Sequence, residues 1–506
     1  MIKTNTSLRL FTLLLASVML AAFVSCSGGG DKGADTGSAA AQATEAPETE
    51  ITETGRAAIR DGLPDDADLG GRTIRLLCRN GDQSTAMEFC IEEESGDVVE
   101  DAVYLRNMKV CERLNCGIET KPVAEDRHGG SKINALVTSV ILAGDDEYDM
   151  LANHMNQSNN HVLQGPYLNL ANLDWLDFSQ PWWCSSYTKA VTIDGKQYTC
   201  TGEASISMIS SAYIIFVNKA VYGEHFDGSV YDIVLDGEWT LDKISELSAA
   251  VYSDLNGNGV KDYDDLVGLV YHTAGAAIEF DGLSASCRLT FTEEKDGKFF
   301  WALENPRTAD FLDKAKRMLH DGNNAFGFPG EFDGAMLGKC INDTALFTFN
   351  YLIGTSHLRD MESDYGILPM PKLYESDDGY SSSVHNGASV FAIPVTAKNP
   401  DEIAMFMEAA NAESYRSVTP AYFDVALKVK YARDDEASQM LDIAVGGLYF
   451  DRAYTFNTLL DSPATVFRTM LQTTAAIDSG MSTIASYKSK FDTNLAKLTD
   501  GFAALN

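Results

Sequence analysis

The sequence predicts an α/β protein made of two successive α/β units. Two observations carry that class. Between residues 72 and 153 strand-like and helix-like segments alternate, which implies a parallel sheet with crossover helices. From residue 211 the alternation starts again, and the chain that follows is long enough to bury a second core.

The elements follow in order. "RTIRLLC" (72–78) reads as a buried strand. In "VVEDAVYLRNMKVCERLNC" (98–116), Val103, Val110, Cys111 and Leu114 share one helical face. "GIETKPV" is a strand, "SKINALVTSVILAG" a helix and "EYDMLAN" a third strand. Sheets of this kind bind ligands beyond the carboxyl ends of their strands. Those ends are "RNGD" (79–82) and "NHM" (153–155). In the second unit "SAYIIFVNKAVY" (211–222) opens with a strand, and "EWTLDKISELSAAVYS" aligns Leu241, Ile244, Leu247 and Val251 on a helix. "NPRTADFLDKAKRMLHDG" begins with Asn-Pro and stops at Gly322, the expected cap asymmetry. "DTALFTFNYL", "YGILPMPK" and "SVFAIPVT" are strands, a helix opens at Asn399-Pro400, and the tail from about Thr465 is helical.

The N-terminus fixes the expected location. Lys3 and Arg9 precede "LFTLLLASVMLAAFV", an apolar run too short for a comfortable span, so residues 1–25 read as a signal peptide. The run ends at "FVSC" and "SGGG" follows, a pattern similar to a bacterial lipobox with Phe23 in place of the usual Leu. Cys26 is then the expected lipidated residue. Residues 26–68 hold almost no large apolar side chain and read as a flexible tether.

Composition excludes one partner class. With 73 acidic against 39 basic residues, the chain would repel polyphosphate, so no nucleic acid is expected. None of the eight cysteines after Cys26 has C-x-x-C spacing. Export permits disulfides, with Cys184 and Cys200 the nearest hairpin pair, and buried free thiols fit equally well. No Ser/His/Asp arrangement, H-E-x-x-H helix or phosphate loop is visible, so an enzyme is not expected.

One motif is a candidate metal site. "SDLNGNGVKDYDDLVGL" (253–269) places Asp254, Asn256, Asn258, Gly259, Asp262 and Asp265 at loop positions 1, 3, 5, 6, 9 and 12. That is the ligand spacing of a calcium loop, with the Val260 carbonyl at position 7. A strand-like segment leaves the loop where an EF-hand would continue as a helix. The reading is a structural calcium clip between a helix and a strand; a polar turn is the alternative.

Several stretches together carry a resemblance: the lipobox, "EDAVYLRNMKVCERLNCGIET", "LANLDWLDFSQPWW" with "TIDGKQYTCTGEAS", "IIFVNKAVY", "GEWTLDKISELSAAVYSDLNGNGVKDYDDLVGL", "DYGILPMPK" and "PAYFDVALKVKYARDDEASQMLD". In these the chain resembles the extracellular solute-binding proteins of bacterial ABC importers, family 1, the sugar-binding group. The resemblance implies a type II periplasmic-binding-protein fold, two α/β lobes with a hinge and a central cleft. Lobe one would be 70–215 plus 370–420, and lobe two 216–365 plus 420–506. It implies a monomer anchored to the cell membrane by its N-terminal lipid, which closes on a carbohydrate, an oligosaccharide by preference, and delivers it to a permease. A peptide- or other-solute-binding lipoprotein on the same fold and a surface-anchored glycoside hydrolase are the alternatives. Sugars ask for aromatic faces and planar polar groups. Trp182 and Trp183 are the conspicuous aromatic pair. Asn80, Asn153 and His154 lie at strand ends, and Glu203, Asn350, Tyr351, His385 and Asn386 lie beside the expected crossovers.

Overall fold

The structure is a computed structural model that describes residues 55–505 except 274–276, 323, 330–333 and 429–434. The expected signal peptide, Cys26 and the first part of the tether lie outside the described residues.

The first unit forms as its pattern predicts. Strands β1 (Arg72–Arg79), β2 (Cys116–Val123) and β3 (Met150–His154) are separated by helices Gln83–Phe89, Val98–Leu114 and Ser131–Ala143. The 98–114 helix starts where the Asp97 carboxylate accepts the N–H groups of Val99 and Glu100, and stops at Asn115, which takes a left-handed conformation (φ 46°). Its buried face is Val99, Val103, Val110 and Leu114, so the apolar period read from the sequence is the packing face. Val110 and Leu114 join Ile74, Leu76 and Met150 in the first core.

The second unit carries β4 (Tyr213–Asn218), β5 (Val267–His272), the hairpin β6 (Thr292–Lys295) and β7 (Lys298–Trp301), then β8 (Ala325–Phe328), β9 (Ala345–Tyr351) and β10 (Tyr365–Leu368). β11 (Ser389–Ala392) returns to the first sheet. The strand orders are β11-β3-β1-β2 and β10-β4-β9-β5-β8. β1 runs parallel to β2 and β3, while β11 is antiparallel to β3. β5 is parallel to β8 and β9, while β4 is antiparallel to β9 and β10.

These orders locate a crevice in each lobe. The chain leaves β1 towards β2 and then returns across it to β3, so the connections from β1 and β3 run to opposite sides. The same reversal occurs between β5 and β9. An open α/β sheet binds ligands at such switch points, beyond the carboxyl ends of the strands. Here those ends are Arg79 and His154 in lobe one, and His272 and Tyr351 in lobe two.

Three chain segments cross between the lobes and hydrogen-bond to one another. The Tyr213 N–H donates to the Ser383 carbonyl (3.0 Å) and the His385 N–H to the Ser211 carbonyl (3.0 Å). The Ser382 N–H donates to the Gly447 carbonyl (3.0 Å) and the Tyr449 N–H to the Ser382 carbonyl (2.8 Å). The crossings thus form a short three-stranded ribbon.

The tether ends earlier than its composition suggests. Leu63 and Leu69 are buried in the first core, and Arg113 donates two hydrogen bonds to the Asp61 carboxylate (2.5 and 2.7 Å). Leu63 and the ion pairs of Asp61 with Arg113 and Arg416 and of Arg56 with Glu203 dock a segment that reads as polar.

Candidate functional site

The floor of the lobe-one crevice is built from contacts between backbones. Arg79, fully buried at the end of β1, donates to the carbonyls of Asp126 (3.0 Å) and Gly387 (2.7 Å) and to the Ser389 hydroxyl (2.6 Å). It therefore ties the loop after β2 to the segment before β11. That approach is so close that a Cβ on Gly387 would stand 1.8 Å from the Arg127 carbonyl oxygen, and one on Gly81 would stand 2.3 Å from the Glu125 carbonyl carbon. Asp82 completes the loop after β1. One carboxylate oxygen caps the next helix at Thr85 (2.9 Å), and the other accepts the Arg127 N–H (3.0 Å).

His385, on the ribbon, links the two crevices. Its ring lies edge-on to His128 of lobe one (5.3 Å between centroids) and to Tyr351 of lobe two (5.5 Å), and Tyr351 lies 5.1 Å from Tyr213. Nδ1 of His385 accepts the Gly387 N–H (3.0 Å), which leaves the proton on Nε2. His154 repeats the arrangement: Nδ1 accepts the Asn156 N–H (3.2 Å), and Nε2 is the donor. Burial, reinforced by the Arg79 charge, lowers the His154 pKa to about 3. Burial and the neighbouring His154 and His128 hold His385 well below its ordinary value. Both rings are therefore neutral donors near neutral pH. Around them Asn80 and His128 are exposed, while Arg127, Asn156 and Asn386 are half-buried. The Asn156 amide reaches across to the Thr458 hydroxyl (3.4 Å). On the lobe-two side Glu279 is buried and accepts the His272 N–H (2.5 Å), and burial raises its pKa to about 8.

Of the residues singled out in the sequence, Asn80, His154, Tyr351, His385 and Asn386 come together here. Asn153 and Asn350 lie at the same strand ends but face inward. The Asn153 amide donates to the Gly130 carbonyl (3.3 Å) and Asn134 Oδ1 (3.0 Å), and Asn350 Oδ1 accepts the Tyr351 N–H (2.8 Å). At 0% and 1% exposure they shape the floor, and each keeps one side-chain atom, Asn153 Oδ1 and Asn350 Nδ2, without a protein partner.

The two tryptophans are buried. Trp182 is 0% and Trp183 4% exposed, and both belong to the first core. Their indole N–H groups converge on one carboxylate, Glu408, at 3.1 and 2.8 Å. Burial raises the Glu408 pKa to about 7. Both rings also border the cavity that Glu203 lines. Glu203 itself is held from two sides. It accepts hydrogen bonds from Arg56 (3.3 Å) and Thr419, and it lines a separate cavity of about 370 Å³ with Arg56, Tyr415 and Phe423. Cys184 and Cys200 do not pair, because the Cys200 thiol turns into the core towards the Phe391 carbonyl (3.8 Å). Sequence reasoning missed Asp82, Arg127, His128, Asn156 and Glu279. Asp82 was within reach, two residues past Asn80 in "RNGD"; His128 carried only the Gly-Gly that follows it.

The loop 254–265 is held by its own polar groups. Asp254 accepts the N–H groups of Gly257 (2.6 Å) and Gly259 (2.8 Å), and the Asn258 amide donates to Asp262 (2.6 Å). Buried Lys339 donates to the carbonyls of Tyr263 (2.6 Å) and Asp265 (2.8 Å). Among the described residues no group of three or more His, Cys, Asp or Glu side chains is gathered to hold a metal. The donor chemistry nonetheless suits calcium: three carboxylates, two amides and a carbonyl, all oxygen.

No family model and no curated protein matches the chain. Solved structures do. A cyclo/maltodextrin-binding protein complexed with maltotetraose superposes with TM-score 0.54 at 14% identity, covering 88% of this chain and 98% of its own. UgpB of Mycobacterium tuberculosis, in complex with glycerophosphocholine, gives 0.54 at 12%, covering 85% and 99%. The galacto-N-biose/lacto-N-biose I-binding protein of the Bifidobacterium longum ABC transporter gives 0.51 at 13%, covering 87% and 99%. With two α/β lobes, three ribbon crossings and facing switch points, the chain has the type II periplasmic-binding-protein fold of these solute-binding proteins.

Proposed function

We propose that the chain is the substrate-binding lipoprotein of an ABC importer, and that it captures a carbohydrate between its lobes for a membrane permease. One observation supports this most: both sheets turn their switch points to the same histidine, His385, among amides, neutral imidazole donors and tyrosine rings. Asn80, Asn156 and Asn386 offer planar groups matched to hydroxyl pairs. The short apolar N-terminal run and Cys26 support export and a lipid anchor, which gives an extracytoplasmic monomer on the cell membrane. Loop 254–265 is read as a calcium clip. Asp254, Asn256, Asn258, Asp262, Asp265 and the Val260 carbonyl would hold the ion, which supplies stiffness to lobe two and no chemistry.

The test is a thermal-shift screen of glycan and peptide libraries, with hits followed by small-angle scattering. An oligosaccharide should raise the melting temperature and compact the protein, since only the closed form touches it from both sides. If no glycan does so and a peptide does, the carbohydrate reading falls and the peptide-binding alternative replaces it.

A further inference from the structure

We propose that Cys78 and Cys90 are a disulfide-forming pair that closes a covalent loop around the crevice segment Arg79–Asp82; its formation in the cell rests on the exported location proposed above. The Sγ atoms stand 3.0 Å apart, about 1 Å beyond a sulfur–sulfur bond. The approach is fixed from both ends. Cys78 is buried in β1, paired in register with Pro122 of β2 and Ala152 of β3. Cys90 is the C-cap of helix Gln83–Phe89, whose start is locked by a capping box between Asp82 and Thr85. Neither end needs to unfold for the sulfurs to meet. Cys200 points instead at the Phe391 carbonyl and Cys287 at the Pro371 carbonyl, while the half-buried Cys111 and Cys116 thiols contact each other away from the crevice.

Cys90 is half-buried while Cys78 is 0% exposed, which sets the order of events. The Cys90 thiolate attacks the disulfide of an extracytoplasmic dithiol oxidant, forms a mixed disulfide and releases one thiolate of the oxidant. The Cys78 thiolate then attacks Cys90 Sγ, the second thiolate of the oxidant leaves, and the two cysteine protons pass to solvent. The pair loses two electrons and the oxidant's disulfide gains them. The enclosed stretch carries Asn80, exposed at the crevice, and Asp82, which holds the Arg127 loop. The bond would therefore restrain the ligand site as well as the core.

The experiment uses the purified full-length protein, equilibrated in oxidised and reduced glutathione, blocked with iodoacetamide and mapped by peptide mass spectrometry. The expected product is a peptide pair linking Cys78 to Cys90, two hydrogens lighter than its reduced parts, whether or not Cys111 and Cys116 also link. Alkylation of both cysteines under oxidising buffer, or linkage of either to another cysteine, overturns the proposal. The same mapping on protein blocked at the moment of release from cells separates the two readings. A linked pair there supports both; a pair alkylated there yet linked in buffer overturns the exported location and upholds the pairing. Cys90→Ser keeps Cys78 in its core position and nearly the same volume. The wild-type melting temperature should rise on oxidation by several degrees more than the variant's; equal shifts in both overturn the proposal.

Discussion

Glu408→Ala removes the acceptor shared by Trp182 and Trp183, and its cost can be worked from the structure. Two indole N–H groups, bonded at 3.1 and 2.8 Å, are left buried without a partner. An unsatisfied buried donor costs about 1–3 kcal/mol, so the pair costs about 2–6 kcal/mol. The wild type carries an opposing contribution. Burial raises the Glu408 pKa from 4.5 to about 7, a difference worth roughly 3 kcal/mol. Because the folded-state value lies above the unfolded one, the stability linked to this proton is fully present below about pH 4.5 and is lost as pH rises through about 7. The gap between wild type and variant should therefore be widest near pH 4.5 and narrow by up to about 3 kcal/mol by pH 8. Urea unfolding followed by tryptophan fluorescence at the two pH values measures it. A cost below about 1 kcal/mol at pH 4.5, or a gap that ignores pH, refutes the shared-acceptor account.

Three further outcomes follow from other sites. His154 has its pKa lowered to about 3, so the wild type should lose stability as pH falls below about 6.5, by up to roughly 5 kcal/mol at pH 3. His154→Gln should flatten that acid limb in urea titrations, and an unaltered limb would count against it. Asn80→Ala, at the exposed end of β1, should weaken binding of whichever glycan the screen returns by at least tenfold, about 1.4 kcal/mol, in calorimetry; unchanged affinity removes Asn80 from the site. Millimolar calcium should raise the melting temperature and a chelator reverse it, with Asp254→Ala abolishing the response; indifference to both treatments sinks the calcium clip.

Much of the fold was legible because its elements are encoded locally. The apolar period of 98–114, the Asn-Pro start at 305 and the strand at 213–218 each needed only a few neighbouring residues, and each appears as read. The site was legible in part for the same reason: a strand end is a local feature, so Asn80, His154 and Tyr351 could be placed. What failed depended on partners far along the chain. The edge-on anchoring of Trp182 depends on Glu408, more than two hundred residues later. Cys90 meets Cys78 because a capped helix folds back on its strand, and spacing alone does not signal that. His385 gains its place from a ribbon whose three strands come from residues near 212, 384 and 448.

That ribbon also governs how the lobes can move. Strands joined by backbone hydrogen bonds resist sliding and splaying, whereas twist is the soft deformation of a β ribbon. Under the closure proposed above, the crossing would act as a torsion bar, and lobe motion would reduce to rotation about one axis. Contacts then differ by lever arm. His385 and Tyr213 sit on the axis, where a bound group gains affinity but exerts almost no torque. Asn80 and Asn156 stand off it, where the same hydrogen bond does mechanical work as the gap shrinks. Occupancy and closure are thereby carried by different residues, and a short ligand that reaches only the axial groups would bind without shutting the molecule.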